Sequence, residues 1–356
     1  MKRFAVACLA VVTCTVVPLG DGPRRTQVRA ITDDVIVPTL DDAAARIADL
    51  ATALDALAAT PSQPTLDAAQ DAWRAARIPW KQSEAFAFGP AMDERLAASI
   101  DQASDPVRID EELAGTAPLT PVYIASLGAN KKGFHAIEHL IFRADDDDAA
   151  IVAAFTSDAR RRDYATSLAV VIGDDSRRLA ELWADGYVAT LTLPGAGNAT
   201  FPTVKSVVDT LVNESVFLAE FLADNRIGKP LGNATGGTPQ PELEESGPSD
   251  NSLADMAASL QGIRAVYRGS LAAQGGGIGA LIAARSPVLD REVETTLAIA
   301  LDAIAAVPRP FRVAIVSNRA EVEAAYAAVK ELKIVLATEV VATLGATLKF
   351  NDNDGD

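Results

Sequence analysis

Apolar residues recur at three- and four-residue steps through most of this chain. Val35, Leu40, Ala44, Ile47, Leu50, Ala51, Leu54 and Leu57 line one face of a helix that starts near Asp33. Thr60-Pro61-Ser62-Gln63-Pro64 ends it. A second helix begins near Thr65 and runs through Trp73 and Trp80 towards Phe88, with a kink expected at Pro79. Gly89-Pro90 is a hard stop, followed by shorter helices, a helix over 133–142, an acidic turn at 145–148 and a long helix over 149–189. Leu193-Pro194-Gly195-Ala196-Gly197 interrupts before a helix over 201–225. Residues 228–250 are irregular, rich in Gly, Pro, Ser and Glu, and long for a connection inside a compact domain. Helices resume over 252–271, 278–285, 289–306 and 319–344. No segment sustains a period of two, so the fold class is all-α, and antiparallel helices of this length imply bundles. The pattern divides into a leader at 1–30, an N-terminal bundle at 31–190 and a C-terminal bundle at 191–356 that includes the irregular 228–250 stretch.

Composition adds direction. Hydrophobic residues make up 49% of the 356 and aromatics 5%, so the helical pattern rests on alanine and aliphatic side chains. The formal net charge of −16 argues against a nucleic-acid backbone as partner and raises the local concentration of cations. Lys2 and Arg3, the apolar run 4–17, then Pro18 and Gly20 read as a secretory signal peptide, with cleavage near Gly20 or after Ala30. Both cysteines, Cys8 and Cys14, lie in it, so a chain cut after Gly20 has no thiol, disulfide or cysteine metal ligand. Val11-Val12-Thr13-Cys14 resembles a lipoprotein box with a poorly fitting threonine, which leaves lipidation at Cys14 and plain export both open.

Histidine chemistry has one location. His135 and His139 are the only histidines, and with Glu138 they stand at i, i+4 and i+3 on one helix face. Imidazole with carboxylate suits a transition metal or proton transfer, and equally a hydrogen-bonded structural pair inside an apolar helix. Gly133 opens the helix where a special backbone angle or close approach is required. His-x-x-Glu-His also matches the inverted zinc-peptidase pattern. His135 and His139 would then hold zinc, Glu138 would be the catalytic base, and Glu214 or Glu220 a distant third ligand.

The flanks add a resemblance. Trp80-Lys-Gln-Ser-Glu-Ala-Phe-Ala-Phe-Gly-Pro90, Gly133-Phe-His-Ala-Ile-Glu138, Lys229-Pro-Leu-Gly232, Glu245-Ser-Gly-Pro-Ser249 with Ser252, and Phe350-Asn-Asp-Asn-Asp-Gly-Asp356 occur in that order. Together they resemble the imelysin family of exported bacterial proteins, from about Asp33 to the C-terminus. The resemblance implies two helical-bundle domains with the site at their interface, a metallopeptidase classification made by inference, and ties to iron uptake or regulation. Gly133, His135 and Glu138 match its Gly-x-His-x-x-Glu motif, and His139 is an addition to it.

The expected ligands are therefore His135 and Glu138, with Glu84, Glu245 and His139 as further candidates and Gly133, Trp80, Ser246 and Ser252 beside them. Ser252 doubles as an N-cap candidate. Trp80 and Phe88 read chiefly as core, and the carboxylates at 145–148 as solvated. Asp352–356 lacks the downstream glutamate of a calcium loop, and Gly275–279 lacks the preceding strand of a phosphate loop. The expected function is binding of iron, or another divalent ion such as zinc, by a protein of the periplasm or cell envelope. Its partners would be the ion or a small ligand and other envelope iron-uptake components, with membrane contact only through a lipid at Cys14. A metal-independent ligand-binding module and a zinc peptidase are the alternatives.

Overall fold

The computed structural model describes residues 20–142, 148–272 and 276–349. The leader segment with Cys8 and Cys14, most of the acidic run at 145–148, Gly275 and the 350–356 terminus lie outside the described residues. The described residues are 79% helical and contain no strand.

Helix begins earlier than the apolar stripe predicts. Asp21–Ile31 is already helical and passes through a π turn at Thr32–Ile36 into Val37–Ala59. Val28 and Ile31 are buried, and this first helix packs against Val204–Phe221 and Gly277–Ala283 of the C-terminal half. Ser62 caps the next helix, Gln63–Ser83, through a reciprocal box with Thr65, and that helix continues past Pro79. The helix expected over 149–189 is broken instead. Asp158 accepts a hydrogen bond from the Arg160 backbone N–H at 2.9 Å and starts a new helix, Ala159–Leu182, after Asp148–Ser157. A short acidic side chain competing for backbone donors outweighs the apolar period at that point. Phe311–Ser317 is a further short helix that the sequence pattern does not suggest.

Val37–Ala59, Gln63–Ser83 and Ala159–Leu182 pack side by side in the N-terminal half. Ser252–Arg268, Pro287–Ala306, Arg319–Val335 and Val204–Phe221 do the same in the C-terminal half. The halves meet where Gln63–Ser83 crosses Ser252–Arg268, and buried apolar residues from both form one continuous core. The crossing is close: a Cβ at Gly262 would lie 2.2 Å from the Gln82 carbonyl oxygen. The polar site described below sits beside this crossing.

Gly133 fixes a second close approach. Its φ is +77°, and a Cβ there would stand 2.4 Å from the Ile100 carbonyl oxygen. Gly133–Ile141 can therefore lie directly on Leu96–Asp101, which brings His135 beside Asp101. Gly133→Ala is expected to cost roughly 2–4 kcal/mol, from the left-handed backbone penalty plus overpacking. Equilibrium unfolding in urea measures it, and a loss under about 1 kcal/mol would mean the contact is not required.

Candidate functional site

Four buried or half-buried polar side chains project from one helix at the half-to-half crossing. Arg77, Trp80, Lys81 and Glu84 are spaced three or four apart along Gln63–Ser83 and the turn after it, so they share the face that meets Ser252–Arg268 and Leu96–Asp101. Buried charges must be paired, and these are. Arg77 forks onto Asp255, with Nε to Oδ1 at 3.2 Å and a terminal nitrogen to Oδ2 at 2.7 Å. It also reaches Asp101 and, at 3.3 Å, Glu245 Oε1. Its guanidinium lies 5.3 Å from the Trp73 ring centre and 5.2 Å from that of Phe134. Lys81 Nζ donates to Asp101 Oδ2 at 2.7 Å, Glu84 Oε1 at 2.7 Å and Glu245 Oε1 at 2.6 Å. Trp80 Nε1 donates to Asp101 Oδ2 at 2.9 Å, so this tryptophan, read from the sequence as core, also holds a site carboxylate.

The third cation arrives by a local irregularity. The helix Val204–Phe221 loosens into a π turn, Leu222–Gly228, and from it Arg226 pairs with Glu84 at 3.0 Å and with Glu245. An inserted residue re-aims a helix face, and such turns concentrate at functional sites.

His135 stands among these groups. Its Nδ1 meets Glu138 Oε2 at 2.8 Å, and its Nε2 lies 3.3 Å from Asp101 Oδ1 and 3.7 Å from Glu245 Oε1. Glu138 Oε1 accepts from the Ser249 backbone N–H at 3.0 Å and from its hydroxyl at 2.7 Å. Both oxygens of Glu138 are thereby engaged, and they tie the irregular loop to the histidine helix. Ser246 and Asn251, from the same loop, donate to Asp255. Ser259 donates to Glu84 at 2.5 Å.

Electrostatics follow from these pairings. Burial would raise the Asp101 carboxyl, but Arg77, Lys81 and His135 outweigh it and hold it far below the usual carboxylate range. Burial likewise opposes ionisation of Glu84, yet Lys81 and Arg226 bring it down to about 2. Lys81 is pushed below the ordinary lysine value, first by burial and then by Arg226 and Arg77. Burial acts against the Arg77 charge, which Asp101 and Asp255 nevertheless reinforce.

The remaining sequence candidates fall elsewhere. His139 Nε2 bonds Asp110 Oδ1 at 2.9 Å, away from the cluster. Ser252 does not cap its helix: Asn251 takes the cap position, and the Ser252 hydroxyl donates to Glu244, which also binds Arg312. Glu220 pairs with Lys333. Glu214 is largely buried, and burial raises it to about 7 against the opposing charge of Lys349. Because its folded value lies above its unfolded one, Glu214 contributes stability below about pH 4.5 that is lost as pH rises through about 7. Glu214→Gln is expected to remove about 1–2 kcal/mol of that decline after allowance for solvent screening. Parallel melts of both proteins between about pH 5 and 8 test it, and parallel curves would refute it.

Among the described residues, Asp101, His135 and Glu245 form a group whose ligating atoms all lie within 4.8 Å of one another. His135 and Glu245 were legible as candidates, whereas Asp101, Arg77, Lys81, Arg226 and Asp255 were not. The 3.3 and 3.7 Å separations from Nε2 suit donors about 2.0–2.2 Å from a common ion. The side chains of the cluster also carry a charge deficit. With every group ionised, Glu84, Asp101, Glu138, Glu245 and Asp255 outnumber the cations Arg77, Lys81 and Arg226 by two, the charge of a divalent ion. A Glu138-bound Nδ1–H is also the second contact that metal-ligating imidazoles ordinarily make. The donors and the charge fit a hard or borderline divalent cation.

The chain as a whole is similar to known proteins. The imelysin (peptidase M75) family profile matches residues 36–336. The iron-regulated protein A of Synechococcus elongatus is 30% identical over 302 residues, which span 83% of this chain and 79% of that protein. A crystal structure assigned as an iron-regulated protein A precursor from Parabacteroides distasonis superposes with a TM-score of 0.82 at 23% identity, covering 93% of this chain and 97% of that one. An imelysin-like protein from Psychrobacter arcticum gives 0.79 at 18% identity, with 94% and 100% covered. With its profile matched over most of its length and its helices in the same arrangement, the chain belongs to the imelysin family.

Proposed function

We propose that this protein is an exported metal-handling protein that binds one divalent cation, iron foremost, through His135 Nε2, Asp101 and Glu245. The observation that carries the reading is the convergence of these three donors in a cluster two charges short of neutrality. The ion would supply positive charge and coordination positions. Glu138 would hold the His135 tautomer with Nε2 free for the ion, and Ser249 would fix Glu138. Arg77 and Lys81 keep Asp101 ionised, and Lys81 and Arg226 do the same for Glu84. Glu84, tied to Lys81, Arg226 and Ser259, acts through those cations and is not a ligand in this reading.

Iron is favoured by the relative named for iron regulation, together with a donor set of one imidazole and two carboxylates. Zinc is an alternative occupant of the same donors. A zinc-peptidase role needs both imidazoles on one ion, and His139 is committed to Asp110. Export accords with the leader reading and with a structural relative assigned as a precursor. Cleavage near Gly20 preserves the packed helix Asp21–Ile31, whereas cleavage after Ala30 would remove most of it. No described helix is long and apolar enough to cross a membrane.

Anaerobic calorimetry with iron(II), manganese(II) and zinc(II) tests the proposal. One ion per chain is expected, lost in His135→Ala and kept in His139→Ala. Equal binding by wild type and His135→Ala would overturn it, and loss on His139→Ala would restore the two-histidine site.

A further inference from the structure

An apolar cavity of about 300 Å³ opens beside the charged cluster. Trp80, Phe86, Leu179, Trp183 and Phe221 are among its walls, while Glu84, Asp101 and Arg226 contribute polar groups to the same lining. Its size is at the lower bound of small-molecule pockets, roughly 300–1,000 Å³, and its make-up is theirs: mostly apolar and aromatic, with a few convergent charged groups. Asp101 belongs both to this lining and to the donor group with His135 and Glu245. Phe221 and Met92 are exposed at 41% and 61%, so solvent reaches this side of the cluster. A bare hydrated ion has no use for aromatic walls.

We infer that the cavity holds the organic part of a small, cationic metal chelate, so that the ion arrives with a flat apolar ligand already attached. This rests on the metal-binding reading above. Three donors from the protein leave coordination positions on a six-coordinate ion for a small bidentate chelator. Neutral aromatic chelators keep the ion's two positive charges, which match the cluster's deficit, and their rings can stack on Trp80 or Trp183. No bond to the protein other than coordination forms, and no electron is transferred.

The probes are nickel(II) alone, bipyridyl alone and their one-to-one complex. They are titrated into the full exported chain while tryptophan fluorescence and calorimetry are followed. The complex is expected to bind at least about tenfold more tightly than bare nickel and to quench tryptophan emission. Ala98, a half-buried residue of the cavity lining, is the place to fill it. Ala98→Phe should abolish the tenfold advantage and leave bare-nickel affinity unchanged. Ala97→Leu serves the same purpose should the first variant melt at a lower temperature than wild type. Equal affinity for complex and bare ion in the wild type overturns the inference alone, as does an advantage that survives both variants. Bipyridyl binding as tightly without metal as with it also overturns it, in favour of a metal-independent ligand site. Failure of bare nickel to bind at all counts against the metal reading itself.

Discussion

Arg77→Met is expected to destabilise the fold by about 3–5 kcal/mol, the largest stability effect of any single change in the cluster. Arg77 is fully buried and is the only residue whose side chain pairs with Asp101, Glu245 and Asp255 together among the described ion pairs. Methionine can fill much of the space against Trp73 and Phe134, so the loss isolates charge more than volume. Among the described residues it leaves Asp255 with Ser246 and Asn251 as donors, and Asp101 with Lys81, Trp80 and His135. A fall in Tm of about 4–7 °C would accompany it in a chain of this size. Asp255→Asn placed in the same chain should recover part of the loss, because the stranded charge goes with it. A double-mutant cycle with coupling under about 0.5 kcal/mol would show that the pair is not the source of the effect.

Buried charge is also where the sequence was least readable. Arg77, Lys81 and Glu84 have the spacing of a solvated helix face, and nothing in their own window reveals that a second helix covers it. Asp101 closes a six-residue helix with no pattern of its own, and its partners come from positions up to 144 residues distant in numbering, as at Glu245. The π turn that aims Arg226 is equally hidden, because one extra residue leaves the apolar period intact on either side. What could be read was local: Gly133, whose positive φ and contact with Ile100 both exclude a side chain, and His135 with Glu138 one turn apart. His139 shows the limit of face arguments. It shares a helix face with His135, yet its ring turns to Asp110 on the neighbouring Pro106–Ala114 helix.

This difference between legible and assembled residues leads to the second large effect. Asp101→Asn should weaken metal binding by more than about 100-fold, while Glu138→Gln should weaken it by about 10–100-fold, the range for groups that orient a ligand without touching the ion. The sequence motif alone predicts the opposite ranking, since Glu138 belongs to it and Asp101 does not. Geometry reverses the order because Glu138 spends one oxygen on His135 Nδ1 and the other on Ser249. Asp101 is also paired, its Oδ1 with Arg77, but that oxygen lies 3.3 Å from His135 Nε2, the nitrogen that faces the ion site, whereas Glu138 meets only Nδ1. Asparagine at 101 keeps the shape and one acceptor but removes a negative charge, so the cluster no longer matches a divalent ion and Arg77 and Lys81 lose an anionic partner. Glutamine at 138 has a single acceptor oxygen: when that accepts from Ser249, its NH2 donates to His135 Nδ1, so the ring stays in place but in the Nε2–H tautomer, which must shed that proton before the ion binds. Competition titration against a fluorescent chelator, run on folded protein as judged by circular dichroism, ranks the two variants. Should Glu138→Gln prove the more damaging, Glu138 is itself a ligand, and the ion sits on the motif with Asp101 serving only Arg77, Lys81 and Trp80.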